Sequence, residues 1–139
     1  MDKAEIITSL RVPETDRMAF VDNLFGISYV LKLEPTIFRF AEQLAAPAYE
    51  GGYWEFQSLG NGGFYMAPQL DTIFRVSCEN GFQGKLTADA LGITACLYAY
   101  SQLSFGGGEF TETCARHFHL LREYMLDHAE VQAILSAID

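Results

Sequence analysis

Two short runs in which apolar and polar residues alternate, Tyr53 to Leu59 and Phe64 to Pro68, flank Gly60-Asn61-Gly62-Gly63. Successive side chains of a strand point to opposite faces, so runs of this period read as strands. An Asn-Gly pair between them reads as a hairpin whose type I′ turn holds both central residues at positive φ. Pro68 has no amide to donate, so it ends the second strand or lies at an edge. A third run, Asp71 to Cys78, places Thr72, Phe74, Val76 and Cys78 on one face and Asp71, Ile73, Arg75 and Ser77 on the other. Glu79-Asn80-Gly81 is a second turn, and Phe82 to Leu86 returns as a fourth strand. Connections this short imply antiparallel pairing in a meander.

Elsewhere the period changes to that of helices. Residues 1 to 12 are weakly patterned and read as a loosely packed segment. Pro13 fits the first position of a helix with Glu14 and Asp16 in its first turn. Met18, Val21 and Phe25 form its apolar stripe and Gly26 its stop. Ile27 to Leu33 fits either a short strand or an extended connection. A second helix follows Pro35, turns Ile37, Phe38, Ala41, Leu44 and Ala45 inward, and ends before Pro47. Thr87 is an N-cap for a long helix reaching about Ser104. That helix is apolar on more than one face and therefore central. Gly92 inside it costs about 1 kcal/mol against Ala, which points to close packing on the sheet. Gly106-Gly107-Gly108 breaks the chain before a helix from about Glu109 to Asp127, with Phe110, Cys114, Phe118, Leu121 and Met125 inward. Asp127 and Glu130 read as a variant capping box for a last helix that buries Val131, Ile134, Leu135 and Ile138. The sum is α+β: a small antiparallel meander of three to four strands covered by about five helices.

At 139 residues, half of them apolar, the chain is expected to fold as one domain over 1–139. Its most hydrophobic segment, Ala88 to Tyr100, is too short for a bilayer and contains Asp89 and Thr94. Met1-Asp2-Lys3-Ala4-Glu5 lacks the basic-then-apolar layout of a signal peptide. Three cysteines, an odd number, fit a reducing compartment, so a soluble cytoplasmic protein is expected. The net charge of −9 argues against binding duplex DNA, whose phosphates require clustered Lys and Arg. Mimicry of DNA by carboxylates is disfavoured too, because the 18 acidic residues are scattered singly among 9 basic ones.

Chemistry is harder to find. Cys78, Cys96 and Cys114 coexist with His117, His119 and His128, a combination that can build a thiol nucleophile. Each cysteine, however, sits on an apolar stripe, where it behaves as a small hydrophobe. His117 and His119 are two apart and diverge by about 200° on a helix, so they cannot share a metal ion. The triple glycine lacks the Lys-Ser/Thr ending of a phosphate-binding loop. No cofactor is implied. The hairpin has Trp54 and Phe56 on one face and Tyr53 and Glu55 on the other. Helices can cover only one face, so some of Tyr53, Phe64 and Tyr65 are expected to stay exposed as anchors for a protein partner. Trp54 reads equally as such a contact or as the centre of the core.

The pieces Gly51-Gly52-Tyr53-Trp54-Glu55-Phe56 and Asn61-Gly62-Gly63-Phe64-Tyr65-Met66-Ala67-Pro68 resemble the signature of the ArdB/KlcA antirestriction family. Val12-Pro13, Arg17-Met18, Leu24-Phe25-Gly26, Phe82 with Gly84, Leu86-Thr87-Ala88-Asp89-Ala90 with Gly92, and Ala137-Ile138-Asp139 extend the resemblance over most of the chain. It implies an α+β fold, no cofactor, and protection of incoming mobile-element DNA by interference with host type I restriction. The implied partner is a type I restriction enzyme or an associated host factor, met by protein contact, with no direct duplex DNA binding and no membrane. Arg17, Glu34, Tyr53, Trp54, Tyr65 and Asp139 are the candidate contact residues. Arg17 lies off the apolar stripe and Glu34 precedes a helix, while Asp139 carries negative charge after a helix C-terminus, where the dipole disfavours it. The alternative is an enzyme of unknown, Cys/His-based chemistry that modifies a host factor. Catalysis needs convergent polar groups, and the sequence offers no recognisable set.

Overall fold

A computed structural model of the protein describes residues 6–139. In chain order its elements are β1 (Ser9–Arg11), a 3₁₀ turn (Glu14–Asp16), α1 (Arg17–Phe25), a π-helical turn (Tyr29–Leu33) and α2 (Glu34–Ala45). There follow β2 (Trp54–Leu59), β3 (Phe64–Pro68), β4 (Ile73–Ser77), β5 (Gln83–Thr87), α3 (Ala88–Leu103), α4 (Glu109–Met125) and α5 (Val131–Ile138). The α+β class and the five α-helices match the sequence reading. The strands divide between two antiparallel sheets, β1-β2-β3 and β4-β5, rather than sharing one meander.

The hairpin pairs as its alternation requires, with Phe56 opposite Met66 and Trp54 opposite Pro68. Its turn differs from the expected type I′, because no described residue other than glycine has positive φ. Instead Gly62 takes φ +93°, donates its N–H to Leu59 O (3.0 Å), and leaves Leu59 N–H to reach Gly63 O (3.0 Å). This is a three-residue loop closed by a left-handed glycine. The second hairpin repeats it: Gly81 at φ +93° donates to Cys78 O, and Cys78 donates to Phe82 O. In each loop the asparagine side chain holds the turn and reaches outward. Asn61 accepts from Gly63 N–H and donates to Leu120 O of α4 (2.9 Å). Asn80 accepts from Phe82 N–H and donates to Ser136 O of α5 (3.0 Å). The two Asn-Gly pairs thus fasten the sheets to the helices that follow them.

At the centre lies α3, buried on nearly every face and packed against β3, α2, α4 and α5. Thr87 caps it, its hydroxyl accepting from Ala90 N–H. Gly92 is where it meets the first sheet. A Cβ there would fall 2.3 Å from Ala67 Cβ and 2.5 Å from Met66 O.

The N-terminal third departs most from expectation. Of the segment read as loosely packed, positions 1 to 5 lie outside the described residues. Ser9–Arg11 forms an edge strand with Leu10 opposite Ser58, while Val12 is buried. In α1 Val21 and Phe25 are buried as expected, but Met18 is exposed, because the helix packs on the core through Phe20, Val21, Leu24 and Phe25, which leaves Met18 on the solvent side. Ile27 to Leu33 is neither strand nor extended chain. Its π-helical turn aims Tyr29 and Leu33 inward. Of Tyr53, Phe64 and Tyr65, some of them expected to stay exposed, Tyr53 does, while Phe64 and Tyr65 are buried because α3 and its neighbours cover β3. Glu130 does not cap α5 by its side chain. Its carboxylate instead accepts from the Thr87 N–H and hydroxyl, where β5 passes into α3.

Gly92→Ala tests the closest of these contacts. Because the added Cβ would meet strand backbone at 2.4 and 2.5 Å, overpacking is expected to cost toward the upper end of about 1–3 kcal/mol, which exceeds the ~1 kcal/mol that alanine gains in helix propensity. Urea denaturation should show a lowered midpoint.

Candidate functional site

Arg17, the first residue of α1, is set beside the entry to β2 because the 3₁₀ turn brings the chain back over the hairpin. Its guanidinium Nη2 donates to Tyr53 Oη (2.7 Å) and to Trp54 O (2.6 Å). The same group lies over the Tyr53 ring (4.7 Å) and the Phe56 ring (4.5 Å). Cation–π attraction and two charge-assisted hydrogen bonds fix this cation at the hairpin mouth. Phe56 leads on to Tyr29 (ring centroids 5.8 Å apart), whose hydroxyl donates to Glu34 (2.9 Å). Arg17, Tyr53, Trp54 and Glu34 therefore belong to one connected cluster. Arg17 and Glu34 are half-buried rather than fully in solvent, and Tyr53 is 39% exposed.

Trp54 lies within the core. It is 4% exposed, donates Nε1–H to Tyr49 Oη (2.7 Å) and meets Phe38 edge-on. Tyr65 is buried on the opposite side of the hairpin. Its hydroxyl donates to Asp89 Oδ1 (2.7 Å), and its ring stacks on Tyr124. Neither side chain presents a surface to a partner, so each can act only by holding a neighbour. Asp139 is exposed beyond α5, and its helix end is firmly held. Asn80 donates to Ser136 O, and Tyr98 Oη donates to Ala137 O.

A network that local sequence patterning did not reveal surrounds Tyr65. The other Asp89 oxygen faces His128 Nε2 at 2.8 Å. Glu130 N–H donates to His128 Nδ1 (3.0 Å), which leaves Nε2 as the nitrogen that donates to Asp89. Burial pushes the Asp89 carboxyl up, but the hydrogen bonds from His128 and Tyr65 outweigh it and hold the group below its usual range. The hydrogen bond to Asp89 raises the His128 pKa against the effect of burial. No spacing in the sequence links residues 39 apart, so this contact had no local signal.

The thiol chemistry has no such setting. All three cysteines are buried. Burial raises the Cys78 thiol, pushes Cys96 up to about 12 and takes Cys114 to about 11, the reverse of an activated nucleophile. His117 is packed between Phe25 and Tyr100, with ring centroids at 4.8 and 5.7 Å, whereas His119 faces solvent. Among the described residues no group of three or more His, Cys, Asp and Glu converges as a metal site. None of their helices is long and apolar enough to cross a membrane.

Comparison with known proteins places these features. A family model described as antirestriction protein matches residues 47–139. Antirestriction protein KlcA of Escherichia coli is 42% identical over 138 residues, spanning 96% of this chain and 94% of that one. The uncharacterized protein YafX of Escherichia coli strain K12 is 37% identical, over 96% of this chain and 88% of its own. A solved structure superposes with a TM-score of 0.90 at 33% identity, covering 100% of this chain and 99% of that one. It comes from work describing a novel fold for KlcA and ArdB, with antirestriction activity against type I DNA restriction systems in vivo but not in vitro.

His117 offers a test by pH. Burial, with the nearby charge of Arg116, lowers its pKa from 6.5 to about 4. A histidine depressed in the folded state gives its full stability above the unfolded value and loses it as pH falls through the folded one. The window is therefore pH 6.5 down to about 4. Denaturant titrations across it should show His117→Leu losing stability less steeply than the parent, by up to ~1.4 kcal/mol per pH unit.

Proposed function

The chain belongs to the antirestriction protein family, and we propose that it acts on host type I restriction by protein contact, without chemistry of its own. The activity described for the solved neighbour, present in vivo but not in vitro, carries this reading. An inhibitor that works only in cells fits one that needs a partner or state which the purified reaction omits. The partner is a type I restriction enzyme or an associated host factor, met in the cytoplasm, and the whole chain acts as one domain. Three buried thiols with raised pKa values support the non-enzymatic reading over the Cys/His alternative. A net charge of −9 supports action without direct binding to duplex DNA.

The contact residues in this reading are Arg17, Glu34, Tyr53 and Asp139. Trp54 and Tyr65 serve from within, Trp54 through the backbone carbonyl that Arg17 grips and Tyr65 through Asp89. Tyr53 presents the exposed face of the hairpin mouth, and the Arg17 cation fixes its ring. Asp139 follows a helix end whose carbonyls are already taken by Asn80 and Tyr98, so its charge is offered from a defined position rather than a frayed tail.

Expression of the protein should let unmodified phage plate on a restricting host while leaving modification intact. Equal restriction with and without soluble protein would refute the proposal. Asp139→Asn should melt with the parent and protect less. Trp54→Ala is unsuitable for that comparison, because loss of a buried indole costs about 3–5 kcal/mol by itself.

A further inference from the structure

A cavity of about 460 Å³ opens between the hairpin and the start of α3. Its walls are Glu55 and Gln57 of β2, Ala67 and Pro68 of β3, the Gln69–Asp71 stretch that follows, and Ala88 and Asp89 of α3. We propose that this cavity is a binding site for an arginine side chain of a protein partner, with the Asp89 carboxylate as its anchor.

Three features converge on that ligand. Asp89 is oriented before any ligand arrives. Tyr65, 2% exposed, holds one oxygen at 2.7 Å, and His128 holds the other at 2.8 Å. The Asp89 side chain is nevertheless 47% exposed, so its carboxylate retains acceptor capacity toward the cavity. A group fixed by one buried donor and one that is largely covered loses little conformational freedom on binding. The lining is divided in the manner of an arginine side chain, with Ala67, Pro68 and Ala88 for the methylene stem and Glu55 and Asp89 for the planar fork. Glu55 already faces one guanidinium, that of Arg11 at 3.4 Å, whose side chain is half exposed. The long-range field of a chain with net charge −9 also draws a cationic group in. Tyr65 and His128 are positioning residues here, since neither needs to touch the ligand.

This site rests on the protein-contact reading but fails or stands separately from it, because its test uses purified protein and no restriction assay. N-acetylarginine amide is titrated into the labelled protein while amide resonances are followed. N-acetylcitrulline amide, which keeps the shape and lacks the charge, is the control. Saturable shifts confined to the Glu55, Ala67, Ala88 and Asp89 region are expected with arginine and not with citrulline. Asp89→Asn should weaken binding about tenfold or more, as loss of a hydrogen bond to a charged group implies. Glu55→Gln, on the sheet away from the Tyr65–His128 network, should weaken it by a smaller factor and decides the question if Asp89→Asn fails to fold. Shifts that are absent, unsaturable or spread over the surface would overturn the proposal. Equal shifts with citrulline, or unchanged affinity in folded Asp89→Asn or, should that variant not fold, in Glu55→Gln, would do the same.

Discussion

Everything in this fold is arranged around one seam, the line along which α3 lies on β3. It is so close that only glycine fits at position 92, where a Cβ would meet Ala67 and the Met66 carbonyl. The same approach brings Tyr100 Oη to Phe64 O at 2.8 Å and the Cys96 thiol to Met66 O. One turn before Gly92 it sets Asp89 beneath the Tyr65 hydroxyl. A strand buried at every position and a helix buried on nearly every face satisfy each other's polar groups, and neither could stay dry alone. The aromatic cluster of Phe25, Tyr29, Phe56, Phe64 and Tyr100 fills the space beside the seam.

Both candidate contact regions hang from this hairpin, on different sides. At its mouth Arg17 clamps Tyr53 and the Trp54 carbonyl and is connected through Phe56 and Tyr29 to Glu34. At the start of α3, Tyr65 and His128 fix Asp89. In each case a buried hairpin residue helps determine where a partly exposed charge sits, through the Trp54 carbonyl for Arg17 and through the Tyr65 hydroxyl for Asp89. That division explains how residues with no role in direct contact can still matter: Trp54 and Tyr65 set geometry for Arg17 and Asp89. The proposed action by contact draws on such fixed charges, whereas the three thiols are buried and burial raises their pKa values.

Where the signal was local, the sequence was legible. Thr87 as an N-cap, the two Asn-Gly hairpins, the alternation from Phe74 to Cys78 and the tight packing at Gly92 all follow from neighbours in the chain. What failed was non-local or short. β1 has only three residues, too few for a period, and becomes a strand because β2 offers it an edge. The partition into two sheets depends on where α3 lies, which no strand pattern encodes. Tyr29 and Leu33 are four apart within a segment too brief to separate helix from strand. That Tyr53 alone of Tyr53, Phe64 and Tyr65 stays exposed is also non-local, since helices cover β3 on a face that alternation alone leaves open. Among the candidate residues, the cluster of Arg17, Tyr53, Trp54 and Glu34 emerges only once α1 folds back over the hairpin.

The central claim is action by contact rather than by turnover, and copy number separates the two most directly. Graded expression in a restricting host, with this protein, the restriction enzyme and any host factor that co-purifies with the protein all counted per cell, gives the dependence of phage protection on their ratios. Stoichiometric contact predicts that protection rises with the protein and approaches its ceiling only when its copies are comparable to those of the enzyme or of that host factor. Full protection at copy numbers far below both would contradict the account and indicate a catalyst.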